Sequence, residues 1–122
     1  MKDAITVYSF SKCQSCRKTL KWLNDHCIEY NLVDITISPP SKTVLSRILN
    51  QLVHAKQIFN TSGASYRKLG AAKVALMSEE QMIHELSLDG KLIKRPLIIL
   101  SNGFAILGYN PEVFSNYLLE DR

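Results

Sequence analysis

The chain has 122 residues, 46% of them hydrophobic and 21% charged, and its 15 Lys/Arg outnumber 11 Asp/Glu for a net charge of +4. That length sustains one hydrophobic core without metal or disulfide support, and the composition is that of an ordinary globular domain. The modest charge is spread along the chain, which excludes a nucleic-acid-binding footprint while admitting an anionic substrate or an acidic protein partner.

Ile5 to Tyr8, β-branched and aromatic, reads as a first strand, followed by a loop at Ser9-Phe10-Ser11. From Cys13 to about Cys27 the pattern is helical. Cys16, Leu20, Leu23 and Cys27 recur at steps of four, three and four, so they share one face. This puts Cys13 at the helix start, turns Cys16 toward the core, and places Cys27 in the core as well. Glu29 to Ile35 reads as a second strand, parallel to the first through a right-handed crossover. Pro39-Pro40 break the chain and Ser41 caps the next helix, whose stripe is Val44, Leu45, Ile48, Leu49 and Leu52. A short helical piece over His54 to Phe59 precedes a polar loop, Asn60 to Ser65. Tyr66 to Leu69 then makes one turn closed by Gly70.

Ser78-Glu79-Glu80-Gln81 carries the signature of a capping box with early acids suited to the helix dipole. Met82, Ile83, Leu86 and Leu88 are the apolar positions of that helix, and Asp89-Gly90 ends it. Arg95-Pro96 leads into a buried strand, Leu97 to Leu100. Asn102-Gly103 is a strong hairpin signal, and Phe104 to Leu107 is the returning strand. After Gly108-Tyr109-Asn110, Pro111 fits the first position of a last helix with Val113, Phe114, Tyr117 and Leu118 facing inward. The order is β-α-β, a helical insertion, then β-β-α. That is an α/β, thioredoxin-like fold with a mixed four-stranded sheet. It predicts a single domain over residues 1–122, with its core in 1–37 and 91–119 and the insertion in 38–90. The same plan predicts a cis peptide at Arg95–Pro96, lying beside Cys13.

No run is long enough to span a bilayer, apolar runs such as Leu97 to Leu100 being far too short, and no apolar stretch follows Lys2-Asp3 as a signal peptide requires. The expectation is a cytoplasmic protein with no membrane or direct nucleic-acid partner. Three cysteines in that setting point to catalysis, redox sensing or metal. A thiolate forms most readily at a helix N-terminus beside cations, and Cys13 has the first-turn N–H groups, Lys12, Arg17 and Lys18 nearby in sequence. Cys16, three residues on, can resolve a mixed disulfide formed at Cys13, or can be a small buried core residue; spacing leaves both readings open. A zinc half-site would need a second ligand pair, and Cys27, His26, His54 and His84 do not form one, so no metal or cofactor is expected. Arg95 beside Pro96 is a candidate for stabilising the Cys13 thiolate or an anionic substrate.

These residues resemble the arsenate reductase (ArsC) and Spx family of thioredoxin-like proteins. The resemblance rests on Ser11 to Lys18, Pro39 to Lys42, Asn60 to Gly63 with Tyr66 to Gly70, Ile93 to Leu97, and Gly108 to Glu112. In the arsenate reductases it implies that the cysteine matching Cys13 attacks arsenate while three arginines hold the oxyanion. Arg95 matches one of these, Asn60 stands where a second would fall, and Gly108 or Tyr109 where the third would. An arsenate-reductase-like thiol–disulfide oxidoreductase is therefore the expectation, with Cys13, Cys16 and Arg95 catalytic and Lys12, Arg17 and Pro96 supporting. Its implied partner is a thiol reductant such as glutaredoxin, thioredoxin or a low-molecular-weight thiol. The alternative is a redox-sensing transcriptional regulator of Spx type that binds the RNA polymerase alpha subunit.

Overall fold

The computed structural model describes residues 4–119. Lys2-Asp3, used above, lies outside the described residues. Two compact units form: one from the residues up to Val33 together with those from Arg95 onward, the other from Asp34–Lys94.

The first unit holds the sheet. Strands β1 (Ile5–Ser9), β2 (Tyr30–Asp34), β3 (Leu97–Ile99) and β4 (Ala105–Leu107) lie in the order β2-β1-β3-β4. β1 pairs antiparallel with β3, and β3 antiparallel with β4. The sheet is mixed, so its parallel pair is β1 with β2, as the crossover through α1 (Gln14–Asp25) requires. Register puts Val7 opposite Ile98 and Ile98 opposite Ile106. This aliphatic row packs with Ile5, Leu23, Ile28, Phe114 and Leu118 into one cluster. The Arg95–Pro96 peptide is cis. The β3–β4 hairpin is closed by three residues, not two: Leu100 N–H donates to the Phe104 carbonyl and Gly103 N–H to that of Leu100. Gly103 takes φ +91°, a left-handed conformation that a side chain would strain.

α1 ends sooner than its apolar spacing predicts. His26 is its C-cap; Cys27 N–H donates to Asn24 O and Ile28 N–H to Leu23 O, the paired bonds of a Schellman motif. Cys27 sits at the left-handed position of that motif, with φ +56°. It is exposed, not in the core. The chain has left the helix before the apolar face comes round again, and Ile28 takes the buried place beside Leu23. A similar correction applies to the last helix, α6 (Pro111–Phe114), which Asn110 caps and Pro111 opens. It widens into π-type turns over Ser115–Leu119. With more residues per turn, Leu118 follows Phe114 into the core, while Tyr117 is 48% exposed and stacks on Phe104 at 4.5 Å.

The second unit is helical. α2 (Lys42–Gln51) is capped by Ser41 and buries Leu45, Ile48 and Leu49. A short 3-10 turn, Ala55–Ile58, leads to an antiparallel bridge between Phe59 and Ile93. α3 (Ala64–Leu69) starts within the expected loop and ends at Gly70, φ +97°. α4 (Ala71–Ala75) follows at once; it has no apolar stripe and buries Val74 alone, so periodicity gives it no signal. α5 (Glu79–Leu88) begins with the full capping box of Ser78 and Gln81 and packs against α2. Leu88 is 67% exposed, because it stands about 200° round the helix from buried Leu86. A second 3-10 turn, Gly90–Leu92, follows. Gly90 is there because any Cβ would overlap the Ile35 carbonyl oxygen.

Candidate functional site

β1 delivers the chain to the site through a tight turn, closed by a hydrogen bond of 3.1 Å from Cys13 N–H to the Phe10 carbonyl. Cys13 then occupies the N-cap of α1 in extended conformation, φ −113° and ψ 117°. Its sulfur does what a serine or aspartate oxygen does at other caps: it accepts the Cys16 N–H, at 3.3 Å. The first-turn amide that would otherwise lack an intrahelical partner is thus aimed at the nucleophile.

Two further groups act on the Cys13 sulfur. Partial burial works against its charged form. Hydrogen bonds from the Cys16 thiol and N–H, and from the Arg95 guanidinium with its charge, outweigh that penalty. The net result is a Cys13 pKa below the ordinary thiol value. Arg95 arrives from the loop ahead of β3, and its guanidinium lies over the Phe10 ring at 5.5 Å, a cation–π contact that fixes its position. Pro96 accepts a hydrogen bond from Gly108 N–H at 2.8 Å, tying the start of β3 to the end of β4.

Cys16 has the opposite setting. It is 1% exposed on the inner face of α1 with Thr19 and Leu23. Burial pushes its thiol up to about 11, and the Cys13 sulfur that it donates to adds to the rise. Phe10 N–H and the Ser9 hydroxyl donate to it and pull the other way. The two cysteines are therefore a thiolate-forming sulfur and a proton-holding one, joined by a hydrogen bond; all three cysteines are free thiols.

Of the other residues singled out from sequence, Lys12 is exposed. Arg17 is exposed and donates to the Ser11 carbonyl at 2.8 Å, bracing the turn before Cys13. Lys18 extends its ammonium over the Tyr109 ring, 5.9 Å from the centroid. Ser9, Phe10 and Thr19 were not marked by sequence reasoning. The available signal was the period-2 burial of Ile5, Val7 and Ser9, which places a hydroxyl on the inner face of β1. Where the family resemblance would put further oxyanion arginines, Gly108 has no side chain and takes φ +84°, and Asn60 donates its N–H to Leu92 O in the helical unit. No group of three or more His, Cys, Asp or Glu side chains suited to a metal occurs among the described residues. Nor is any described helix long and apolar enough to cross a membrane.

The ArsC family model matches residues 8–117 of the chain. The chain is 43% identical over 96 residues to an uncharacterised protein, YusI, of Bacillus subtilis, covering 77% of this chain and 81% of that one. It is 30% identical over 118 residues to the global transcriptional regulator Spx of Streptococcus mutans, covering 96% and 85%. Among solved structures it is similar to one described as a possible arsenate reductase from Streptococcus mutans, at 36% identity and a TM-score of 0.82, covering 88% of this chain and 92% of that one.

Proposed function

Because the chain belongs to the ArsC family, we propose that it is a cytoplasmic thiol–disulfide oxidoreductase in which Cys13 attacks a disulfide, Cys16 resolves the mixed disulfide, and Arg95 stabilises the Cys13 thiolate. The observation that carries this reading is the opposed tuning of two hydrogen-bonded thiols in one helical turn. Cys13 is lowered with Arg95 donating to it, and Cys16 is raised and buried. A nucleophile must be a thiolate at working pH, whereas the resolving thiol has to keep its proton until the first step is complete.

Arsenate is a poor fit. A doubly charged oxyanion needs several charge-assisted donors, and only Arg95 stands at a position that matches the family's three. Lys12, Arg17 and Pro96 support the site: Arg17 braces the turn, Lys12 adds positive charge at its rim, and Pro96 fixes the approach of Arg95. A glutaredoxin, a thioredoxin or a low-molecular-weight thiol would return the pair to its reduced form.

The test is turnover of an organic disulfide coupled to a thiol reductant, with arsenate assayed in parallel. Cys13→Ser is expected to abolish disulfide turnover, and wild-type protein is expected to leave arsenate unreduced. A rate unchanged by Cys13→Ser would overturn the proposal. The likeness to Spx favours one second reading, in which oxidation of the same pair alters binding to the RNA polymerase alpha subunit. A pull-down with the alpha C-terminal domain separates the two. Binding in one redox state supports the regulator, and none in either state removes it.

A further inference from the structure

Among the described residues, the buried polar side chains are Ser9, 7% exposed, and Thr19, 0% exposed. Ser9 ends β1, and Thr19 lies in α1 on the buried face that also carries Cys16. Thr19 is accounted for locally, since its hydroxyl donates to the Ser15 carbonyl at 2.9 Å, one turn back along its own helix. Ser9 is different. It is the last residue of β1, on the inward face that Ile5 and Val7 otherwise fill with aliphatic side chains. An aliphatic residue there would serve the core as well, and a buried hydroxyl is costly unless it has a partner. Its partner is the Cys16 sulfur.

We infer that Ser9 is a positioning residue for the resolving step, holding the Cys16 sulfur toward Cys13 and donating a hydrogen bond to it when it carries negative charge. This rests on the reading that Cys13 and Cys16 act as a dithiol pair. In the first step the Cys13 thiolate attacks a disulfide R–S–S–R, a Cys13–S–S–R bond forms, and RS⁻ leaves. In the second, Cys16 gives its proton to solvent and its sulfur attacks that of Cys13. The Cys13–Cys16 bond forms, the Cys13–SR bond breaks, and a second RS⁻ leaves. The protein dithiol has then lost two electrons and the substrate disulfide has gained them. Ser9 and the Phe10 N–H are the donors that face Cys16 in the second step, when the Cys13 sulfur is bonded to R and has no charge to offer. In the reverse direction the same donors receive Cys16 as the leaving thiolate.

The test uses Cys27→Ser as the reference protein in every arm, because exposed Cys27 would itself react; it follows the two releases of thionitrobenzoate from 5,5′-dithiobis(2-nitrobenzoate), the first reporting Cys13 attack and the second its resolution by Cys16. Ser9→Ala is expected to leave the first rate near that of wild type. It should slow the second by about tenfold, the effect of losing one hydrogen bond to a charged group. The pH midpoint of the second release should move upward. Ser9→Thr and Ser9→Val separate the hydroxyl from packing, since they differ only in that group; Thr should restore the second rate and Val should not. An unchanged second release in Ser9→Ala, equal slowing of both releases, or equal rates in Thr and Val would overturn the inference. If wild type gives a first release and no second, the resolving role of Cys16 falls and this inference with it. If the first release survives Cys13→Ser, the proposed function itself fails.

Discussion

Cys13 and Cys16 share one helical turn and are hydrogen-bonded to each other, yet they offer a negative charge different surroundings. The Cys13 sulfur, partly exposed at the cap, receives the Cys16 thiol and N–H and the Arg95 guanidinium. Cys16, enclosed by the β1–α1 interface, is left with a thiol near 11. Cys13 should therefore alkylate faster than either other cysteine near neutral pH. Cys27 supplies an internal comparison, because it is exposed and stands apart from the site. Arg95→Met removes a donor and a cation together, so the pH midpoint of Cys13 alkylation should rise and its rate at neutral pH fall severalfold. The Cys27 rate serves as the control, and an unmoved midpoint would mean that Arg95 does not act on the thiol.

At the scale of elements, short-range chemistry decided most boundaries. Ser41, Ser78 and Asn110 are N-caps, Gln81 completes a box, and Pro111 stands at the first turn, all of them readable from residues three or four apart. Two of the misplaced side chains follow an element ending or changing pitch, which periodicity cannot foresee, while α4 has no apolar stripe to read. Cys27 and Tyr117 both follow such a change. The Schellman end of α1 also makes a stability prediction. Cys27 holds a left-handed conformation that costs a side-chain-bearing residue about 1 kcal/mol or more, while glycine adopts it freely. Cys27→Gly should raise stability by about 1 kcal/mol in urea denaturation, with the Cys13 alkylation rate unchanged.

For the molecule as a whole, the raised Cys16 links redox chemistry to stability. An unfolded cysteine titrates near ~8.5. Above that pH the unfolded chain gives up the Cys16 proton while the folded chain keeps it, so this contribution is full below the unfolded value. It is lost as pH rises toward about 11. Tyr8, raised by its burial, acts with the same sign, and Cys13, lowered, with the opposite sign below its unfolded value. Urea midpoints in reducing buffer should therefore fall across that alkaline window, and Cys16→Ala should show a shallower fall. Parallel slopes for the two proteins would contradict the buried-thiol account.

Side-chain pattern and motif prescribe the order of the strands and of every α-helix but α4, the family, the cis Arg95–Pro96 peptide, and the placing of Cys13 at a helix start with Cys16 turned inward. These follow from side-chain periodicity, caps and turn residues, or from motifs whose residues stand side by side. Tertiary structure alone decided which cation reaches the thiol, which hydroxyl lies beneath its partner, and which cysteine is left outside. Arg95 and Ser9 meet the cysteine pair because β3 lies beside β1 and α1 covers it. Lys12, Arg17 and Lys18 are nearer in sequence, but Lys12 is exposed, Arg17 reaches the Ser11 carbonyl, and Lys18 lies over Tyr109. The physical reason is range. Caps and turns act over three or four residues, whereas the charge and burial that set a thiol's proton affinity come from whatever the fold brings within a few ångströms.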